Sequence, residues 1–567
     1  MNKNEEIASL FQQIADALEI KGENPFRVNA YRQAARVLSE LSEDIRVLLQ
    51  QGKLTEIQGI GPAMAEKIEE YLATGKMAKY QEALSGLSPG LLALLQIPGM
   101  GPKTVSLLHK KLQVNSLEDL ERELNSGRLE ALPGFGRKKV ENLRKGLQVY
   151  RQGQARIPLG PALTIVRRMV EMLSGSSSQI SPAGSLRRFK ETVGDIDILA
   201  TGRDLNLIIE KFTHLPGVQE VIARGETKAS VRIAPEGLQV DLRVVAEDSY
   251  GAALQYFTGS KAHNIKLRSL AVSSGYKINE YGVFRGQKRV GGKTEEEVYR
   301  NLRLPFIPPE LREDRGEIEA ALKQELPQLI TMSDIQGDFH VHSHYSDGKD
   351  DLRGLAEAAR KRGYKWLAIA DHSVSVKYAH GLTSDDLMKK LEEIDQVQRE
   401  FPDVWLLKAA EVDILPDGKL DYPDWLLSRL DVVIAAIHQG FSKNVTERVI
   451  AAIEHPLVDI IAHPTGRLLT GRSGYQIDLE KVMERAAERS VALEINAYFD
   501  RLDLNDVNAA RAKSLGVPLA IGTDAHSQAM LSYMELGVAT ARRAWLTKND
   551  ILNTRPWIKR GKRTNVS

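Results

Sequence analysis

From residue 337 onward, short apolar segments alternate with stretches of helical periodicity, and this alternation constrains the fold more than any other feature of the sequence. The apolar segments are "WLAIADHS", "DVVIAAIH", "VDIIAHP", "VALEINA" and "PLAIGTDAH". Strands that are each followed by a helix pair in parallel, and several of them in succession suggest a barrel. Polar residues gather at the C-terminal ends of the segments, where such barrels place active sites. We therefore predict a parallel α/β barrel with a functional rim.

Histidine is concentrated in the same half of the chain. Of the 12 histidines, only His109, His214 and His263 precede residue 338. Those at or just after the apolar segments are joined by carboxylates, and the set is His340, His342, His372, Glu411, His438, His463, Asp524 and His526. Imidazole and carboxylate ligands suit manganese, zinc or iron. We expect a metal cluster on one rim, and we interpret His344, His380 and His455 as ordinary polar residues.

The composition sets broader limits. A chain of 567 residues implies several domains, and the absence of cysteine excludes disulfides and thiolate metal sites and fits a reducing compartment. The first residues do not read as a secretory signal, and no apolar run is long enough to span a bilayer. We expect a cytoplasmic protein. The net charge of +2 does not by itself indicate nucleic acid, so local patches would have to do so.

Residues 1–150 read as amphipathic helices that contain an internal repeat. Its three copies are "EIQGIGPAMAEKI", "LQIPGMGPKTVSLL" and "LEALPGFGRKKVENL". In each copy a Gly-apolar-Gly turn precedes a helix, whose free N–H groups can donate to a phosphate oxygen. A single copy would favour a hairpin used only for packing, but three copies indicate helix-hairpin-helix DNA binding. The predicted DNA contacts are Gly59, Gly61, Gly99, Gly101, Gly134, Gly136 and Lys138.

In the stretch "GSLRRFKETVGDIDIL", an apolar strand carries Asp195 and Asp197 on one face. At about 5 Å and an effective dielectric of ~20 the two carboxylates repel by roughly 3 kcal/mol, so a cation is expected between them. A pair of divalent metals would fit phosphoryl transfer, with Asp241 of "LQVDLRVV" as the third ligand. The alternative is a pair of salt bridges to Arg187 and Arg188.

These motifs, followed by "YFTGSKAHNIKLRSLA" and "INEYGVF", resemble a family X DNA polymerase, the family of DNA polymerase beta. The resemblance implies that Asp195, Asp197 and Asp241 are catalytic and bind Mg²⁺ or Mn²⁺. It also implies a set of dNTP contacts, which consists of Gly184, Ser185, Arg188, Gly194, Tyr256, Phe257, Gly259, Asn264 and Arg268.

"NPFRVNAYRQAARVL" and the first glycine hairpin resemble the small domain with which this family grips a downstream 5′-phosphate. The resemblance places phosphate contacts on Arg27 and Tyr31, and the catalytic lysine of a deoxyribose-phosphate lyase on Lys67. An amine needs a lowered pKa to form a Schiff base, and a solvated helix residue is the alternative for Lys67.

The second half resembles a polymerase-and-histidinol-phosphatase (PHP) domain. The resemblance implies up to three ions, Mn²⁺, Zn²⁺ or Fe²⁺, in three ligand sets. The sets are His340, His342, Glu411 and Asp524; Glu411, His438 and His463; and Asp347, His372 and His526. Such a cluster is suited to cutting phosphate esters.

Together the features predict a multidomain chain with a helical helix-hairpin-helix region, an α+β nucleotidyltransferase palm with a polymerase subdomain, and a distorted TIM-like α/β barrel. The expected boundaries are 1–85 for the 5′-phosphate/lyase-like domain, 86–153 for the second DNA-binding region, 154–246 for the palm, 247–315 for the nascent-base-pair subdomain, 316–336 for a linker and 337–567 for the PHP domain.

The predicted function is template-directed filling of short gaps in DNA repair, with a PHP 3′–5′ exonuclease and an AP endonuclease or 3′-end-processing activity. The expected partners are gapped or nicked DNA with a 5′-phosphate and dNTPs, bound by a monomer away from membranes. Two alternatives stay open: a DNA-binding nuclease scaffold with an inactive palm, and a template-independent nucleotidyltransferase.

Overall fold

A computed structural model describes residues 3–39, 45–57, 59–97, 99–132, 134–151, 156–234 and 237–557. The chain divides into two compact units. The first comprises Met1–Arg156, His214–Val221 and Val231–Gln239, and the second comprises Ile157–Thr213, Ile222–Ser230 and Val240–Ser567. No helix in the described ranges is both long enough and apolar enough to cross a membrane.

The N-terminal part of the first unit is helical. In α1 the residues Ile7, Phe11, Ile14 and Leu18 recur at helical spacing and are buried, so this face anchors the first core. A second core forms around Leu108 and Phe135. The helices are α1 (Lys3–Lys21), α2 (Pro25–Ser39), α3 (Ile45–Gln50), α4 (Pro62–Thr74), α5 (Ala78–Leu84), α6 (Pro89–Ala93), α7 (Pro102–Leu112), α8 (Leu117–Ser126) and α9 (Arg137–Arg151).

The three glycine repeats form the turns that lead into α4, α7 and α9. The first glycine of each turn, Gly59, Gly99 or Gly134, has a positive φ of 97°, 87° or 80°, which other residues adopt only with strain. The apolar residue between each glycine pair is buried, and these residues are Ile60, Met100 and Phe135. The repeat is therefore the sequence of a tight turn whose apolar residue anchors it in the core.

The segment from residue 157 to 244 contains a five-stranded sheet with the strand order β2-β4-β7-β6-β5. The strands that carry the predicted aspartates, β4 and β7, are neighbours in this order. Its elements are β1 (Ile157–Pro158), α10 (Leu159–Ser174), β2 (Gln179–Pro182), α11 (Gly184–Arg187), β3 (Thr192–Val193), β4 (Asp195–Thr201), α12 (Leu205–Thr213), β5 (Val218–Arg224), β6 (Lys228–Ile233) and β7 (Leu238–Val244).

The next segment packs helices against a three-stranded antiparallel sheet of order β10-β9-β8. Its core includes Leu267, Val283 and Tyr299. The elements are α13 (Tyr250–Thr258), α14 (Lys261–Ser273), β8 (Lys277–Asn279), β9 (Gly282–Arg285), β10 (Lys288–Gly291), α15 (Glu295–Asn301) and α16 (Glu317–Lys323).

The C-terminal half is a barrel of parallel strands in the order β11-β12-β13-β14-β15-β16-β17. It closes because Val341, at the end of β11, pairs in parallel with Ala525. This confirms the predicted barrel. The elements are β11 (Gly337–Val341), α17 (Leu352–Lys361), β12 (Trp366–Ile369), α18 (Ser384–Glu400), β13 (Trp405–Asp413), α19 (Asp424–Leu427), β14 (Val432–Ala436), α20 (Val445–Glu454), β15 (Ile460–Ile461), α21 (Leu479–Arg489), β16 (Ala492–Asn496), α22 (Asp506–Ser514), β17 (Leu519–Gly522) and α23 (Met534–Arg543).

The barrel strands separate two apolar layers by their alternation. In β12, Trp366 and Ala368 belong to an inner cluster, whereas Leu367 and Ile369 pack in the layer that contains the helices. The inner cluster also holds Phe339, whose ring lies 4.4 Å from that of Trp366. The lower interior of the barrel is thus filled by apolar side chains, and the predicted metal ligands lie near or just after the C-terminal ends of the strands.

A buried ion pair fixes α18 to this C-terminal end. Lys390 is fully buried, and its ammonium lies 3.1 Å from the Asp371 carboxylate. The ammonium also donates to the carbonyl of Ile369, the last residue of β12, at 3.0 Å and to the carbonyl of Ala409, within β13, at 2.9 Å. Since Asp371 precedes His372, this pair positions part of the predicted metal rim.

We expect Lys390→Met to lower the free energy of unfolding of the barrel by about 3–5 kcal/mol, because it leaves the Asp371 carboxylate buried without its cation. All 5 tryptophans lie between residues 366 and 557, so tryptophan fluorescence during urea denaturation reports on the barrel. The control is Lys389→Met, which removes a largely exposed ammonium paired with Asp386 and should cost less than about 1 kcal/mol. Equal losses in the two variants would contradict the role of the buried pair.

Candidate functional site

In β12, β13 and β14 a ligand residue continues the inward-facing series of the strand. In β13 the inner-cluster residues Leu407 and Ala409 lead to Glu411, and in β14 Ile434 and Ala436 lead to His438. Because side chains repeat every two residues in a strand, each series points its polar member into the barrel above the apolar layer. The barrel itself therefore brings these side chains together.

The carboxylate of Glu411 lies at the centre of the histidines. It is 2.8 Å from His372 Nδ1 and 2.9 Å from His463 Nε2. It is 3.3 Å from His438 Nε2, and the remaining contacts are 3.5 Å to His340 Nε2 and 3.8 Å to His342 Nε2. One buried carboxylate thus faces five imidazoles.

The described residues contain three groups of candidate metal ligands, and within each group the ligand atoms all lie within 4.8 Å of one another. The groups are His342, Asp347, His372 and His526; His340, His342 and Asp524; and His372, Glu411 and His438. They contain eight of the nine ligands that the sequence predicts, and His463 joins them through its contact with Glu411. The grouping differs from the predicted sets, since His342 also approaches the Asp347 group and His372 also approaches Glu411. None of the groups includes His344, His380 or His455.

The buried polar atoms of this cluster fit metal ligation. The buried side-chain atoms without a hydrogen-bond partner include His340 Nε2, both ring nitrogens of His342, His372 Nδ1, His438 Nδ1, His463 Nδ1 and Glu411 Oε2. Leaving such atoms unpaired in the interior costs about 1–3 kcal/mol each. The close approach of His372 to Glu411 also lacks hydrogen-bond geometry. Divalent cations bound by these lone pairs would remove the cost.

Charge in the cluster is strongly coupled. Burial opposes the ionisation of Glu411, but the neighbouring His438, His340 and His372 outweigh it and hold the pKa of Glu411 well below its usual range. Burial and the charges of His526 and His372 lower the pKa of His342 to about 4. The carboxylate is therefore ionised and His342 is neutral at physiological pH, which are the protonation states that ligate a metal.

Two carboxylates that were not among the predicted site residues support the histidines. Glu494 accepts a hydrogen bond from the His463 backbone N–H at 2.7 Å, and its other oxygen lies 2.8 Å from His340 Nδ1. Gly522 makes room for this pair, because a Cβ there would overlap the Glu494 carboxylate. Asp413 accepts from the His438 backbone N–H at 2.9 Å. Both carboxylates lie in the inward series of β16 and β13, and that periodicity is the signal that could have identified them.

In the five-stranded sheet, Asp195 and Asp197 lie on one face of β4, and Ile196 and Ile198 are buried on the other. Asp241 takes the equivalent half-buried position in β7. Burial and the charges of Asp195 and Asp241 raise the pKa of Asp197 to about 7. Among the described residues, every group whose ligand atoms all lie within 4.8 Å of one another belongs to the barrel. The carboxylates of Asp195, Asp197 and Asp241 are therefore farther apart than the ligand atoms of those groups.

The cations beside these aspartates differ from those that the alternative interpretation named. Lys228 lies 3.6 Å from Asp241, and Arg243 lowers the pKa of Asp197 while its guanidinium stacks 4.5 Å from the Phe257 ring. Arg187 instead pairs with Glu295 at 2.6 Å. The hypothesis that Arg187 and Arg188 simply neutralise the aspartates is therefore wrong.

Arg188 lies in a network that joins the sheet region, the following segment and the barrel within one compact unit. Its Nε donates to Glu313 at 3.0 Å, and its Nη1 donates to the Thr258 carbonyl at 2.5 Å. Arg543 of the barrel donates to the Arg188 carbonyl at 2.6 Å and also to Glu313 at 3.0 Å. Arg188 is therefore held from three sides.

The other predicted nucleotide contacts lie in the same compact unit as Arg188. Gly184 has a φ of 59°, and a Cβ there would overlap the Asp197 carboxylate. A Cβ at Gly259 would lie 3.2 Å from Arg188 Nη1. Asn264 accepts a hydrogen bond from Gln255 and donates to the Tyr256 carbonyl, both at 2.7 Å. The remaining members are half-buried or exposed: Ser185, Gly194, Tyr256, Phe257 and Arg268.

The predicted contacts of the helical region fall in different environments. Arg27 is exposed and pairs with Glu23 at 3.4 Å, whereas Tyr31 is buried edge-on against Phe11. Lys67 donates to the Ala63 carbonyl at 2.7 Å. A Cβ at Gly61, Gly101 or Gly136 would meet no atom within 4 Å, so the second glycine of each turn faces open space. The side chain of Lys138 lies outside the described part of the chain.

Four family models match the chain. Residues 2–77 match a helix-hairpin-helix domain and residues 91–148 match a SAM-like helix-hairpin-helix tandem. Residues 253–313 match the DNA polymerase beta thumb, and residues 338–497 match the PHP domain. The matches follow the predicted order of regions along the chain.

Whole-chain and partial relatives agree with these matches. The chain is 40% identical over 560 residues to the DNA polymerase/3′-5′ exonuclease PolX of Bacillus subtilis (strain 168), covering 97% of both chains. The chain is also 32% identical over 231 residues to a protein named "probable phosphatase" of Thermoanaerobacter sp. (strain X514), covering 38% of this chain and 89% of that protein. DNA polymerase lambda of Arabidopsis thaliana is 25% identical over 349 residues, 54% of this chain and 62% of that protein.

We expect Mg²⁺ binding at Asp195, Asp197 and Asp241 to release a proton below about pH 7. The buried carboxyl of Asp197, with a pKa of about 7, holds a proton there that the ion must displace. The release should approach one proton per ion at pH 6 and nearly vanish at pH 8. Calorimetric Mg²⁺ titrations in buffers of different ionisation enthalpy measure it. Asp197→Asn should abolish the release and Asp204→Asn should retain it; release that does not vary with pH would contradict the raised pKa.

Proposed function

The chain belongs to the family of the DNA polymerase/3′-5′ exonuclease PolX, and from this premise we propose that it fills short gaps during DNA repair, in base excision or break repair. It is a DNA polymerase with a 3′–5′ exonuclease, and its substrates are DNA and dNTPs. We further propose the repair role, the roles of the site residues and the additional nuclease activities.

The observation that carries the proposal is the presence of two chemically different acidic sites in one compact unit. The neighbouring strands β4 and β7 carry three carboxylates, the ligand set that phosphoryl transfer to a primer end requires. The barrel carries a histidine-rich cluster suited to hydrolysing phosphate esters. We assign synthesis to Asp195, Asp197 and Asp241, and exonuclease activity to the barrel.

Divalent metals serve both sites in this proposal. The carboxylate-only set of the palm suits Mg²⁺ or Mn²⁺, and the mixed imidazole and carboxylate set of the barrel suits Mn²⁺, Zn²⁺ or Fe²⁺. A metal ion bound in the barrel would supply a hydroxide at neutral pH. The chain's own contribution is to fix the ligand orientation through Glu494 and Asp413.

The barrel is also proposed to prepare 3′ ends for synthesis. The similarity of the chain to proteins named "probable phosphatase" supports removal of 3′-terminal phosphate, and the same cluster can act on the phosphodiester beside an abasic site. An AP endonuclease or 3′-end-processing activity would leave the 3′-hydroxyl that the polymerase extends. Cleaning and filling would then use one bound substrate.

The helical region is proposed to hold the gap. The three turns with open second glycines support backbone phosphate contacts, and Arg27 is the exposed cation offered to the downstream 5′-phosphate. Tyr31, being buried, would act by positioning α2 rather than by its ring surface. Lyase activity of Lys67 stays a prediction, as do the proposed domain boundaries, the monomeric state and the cytoplasmic location.

We expect single substitutions to separate the two activities on one substrate. On a one-nucleotide gap with a 5′-labelled primer, Mn²⁺ and a downstream 5′-phosphate, the chain should add one templated nucleotide with dNTPs and shorten the primer stepwise without them. Asp195→Ala should lower extension at least about 100-fold because a metal ligand is lost, and should leave shortening intact. His342→Ala should do the reverse. A gel time course measures both.

The same gel separates the alternatives. Shortening without any extension by the unsubstituted chain would leave the palm as a binding platform, and extension that ignores the template base would indicate a template-independent nucleotidyltransferase. If His342→Ala leaves primer shortening unchanged, the exonuclease activity does not belong to the barrel.

We expect Arg27→Ala to weaken the preference for a gap with a 5′-phosphate by about 3- to 10-fold, because one cation–phosphate contact on an exposed surface is lost. The measurement is the ratio of dissociation constants for phosphorylated and unphosphorylated gaps at fixed salt. Lys53→Ala removes another exposed cation of the same unit and should leave the ratio unchanged. An unchanged ratio for Arg27→Ala would remove this residue from the 5′-phosphate site.

A further inference from the structure

Arg501 is a cation placed among the metal-ligating residues of the barrel, where it has no assigned role. It lies between β16 and α22, and its Nε is 3.4 Å from Asp524 Oδ2. Its side chain is 18% exposed, and its Nη1 is fully buried with no hydrogen-bond partner. A guanidinium of this kind is costly to keep in a protein interior unless something anionic completes its hydrogen bonds.

The backbone around Arg501 is held rigidly. Its carbonyl accepts a hydrogen bond from Arg467 Nε at 3.0 Å. Two residues later, Asp503 accepts from the backbone N–H groups of Thr465 at 3.0 Å and Gly466 at 2.9 Å, and pairs with the backbone of Asn496. The guanidinium is therefore aimed at the cluster by a fixed segment, and its direction is built into the fold.

The unpaired buried atoms at the cluster are of two chemical kinds. Each of the five histidines, when neutral, has one ring nitrogen with a lone pair that a metal can use, and Glu411 Oε2 offers a further lone pair. Arg501 Nη1 carries only protons, so no metal can satisfy it. An anion that arrives with the substrate can accept from it, and the substrate of a phosphoesterase brings one in the phosphate group.

We propose that Arg501 binds a non-bridging oxygen of the phosphate that the barrel hydrolyses, at the 3′ end of the DNA strand. A planar guanidinium matches the spacing of phosphate oxygens, and its fixed charge would stabilise the negative charge that builds on them in the transition state. Asp524 holds one side of the fork and leaves Nη1 for the substrate. This inference rests on the proposed assignment of the exonuclease to the barrel.

A purely structural role is the competing explanation. Arg501 could simply neutralise Asp524 and so keep the metal ligands in place, in which case its loss would release metal. Metal content therefore separates the two roles. Inhibition by inorganic phosphate gives a second readout, because it measures anion binding without turnover.

The test uses the full-length chain and the variants Arg501→Gln and Arg501→Lys. Three quantities are measured. They are the bound metal, by mass spectrometry after dialysis; the exonuclease kinetics on a labelled single strand; and the inhibition constant of inorganic phosphate. We expect unchanged metal content, kcat/KM lower by about 10- to 100-fold, and an inhibition constant for phosphate raised at least about tenfold in Arg501→Gln. Arg501→Lys keeps the charge without the fork and should recover part of the phosphate inhibition.

Arg399→Gln, which removes an exposed arginine from α18, is the matched control and should change nothing. Loss of metal from Arg501→Gln would overturn the proposal in favour of the structural role, and so would an unchanged inhibition constant for phosphate. Failure of the underlying assignment looks different: His342→Ala would then leave exonuclease activity intact, whatever Arg501 does.

Discussion

The carboxylate of Glu411, buried among five imidazoles, is the interaction on which the C-terminal half depends. Its contacts come from residues that lie in or just after four different strands, β11, β12, β14 and β15, so no local stretch of chain could assemble them. Only a barrel brings the C-terminal ends of parallel strands around one point. The apolar layer of Phe339 and Trp366 fills the interior below that point. The metal-ligand cluster therefore lies above a packed apolar layer.

The palm depends on the barrel through a second set of charges. Arg543 and Asp506 belong to barrel helices, and Arg543 donates both to Asp506 at 2.7 Å and to the carbonyl of Arg188, which is the predicted triphosphate contact. The Glu313 carboxylate forms salt bridges with Arg188 and Arg543, each at 3.0 Å. Arg543 is 3% exposed at its side chain, and a buried charge of this kind requires its partners to stay in place. The barrel thus contributes to the geometry of the polymerase region as well as carrying its own cluster.

Periodicity made much of this predictable from sequence. Alternation placed Asp195 and Asp197 on one face of a strand, and the succession of apolar segments and helices, with polar residues at the segment ends, predicted the barrel and its rim. What depends on pairing between distant residues was not predictable. The partners of Arg187 and Arg188, Glu295 and Glu313, lie more than 100 residues away and carry no motif. The burial of Tyr31 follows from packing against Phe11, and the membership of His372 in two ligand groups depends on residues from different strands.

The two acidic sites show how neighbours decide what a carboxylate does. Burial and two further carboxylates raise the pKa of Asp197, whereas the histidines around Glu411 outweigh its burial and lower its pKa. A site made only of oxygen ligands that partly hold protons favours a hard ion that is bound weakly and exchanges readily, as a metal that arrives with a nucleotide would. A cluster of ionised carboxylates and imidazoles favours a transition-metal ion that stays bound through many turnovers. The same chain can therefore use a metal that comes with its substrate in the palm and a resident metal in the barrel, since their ligand atoms differ.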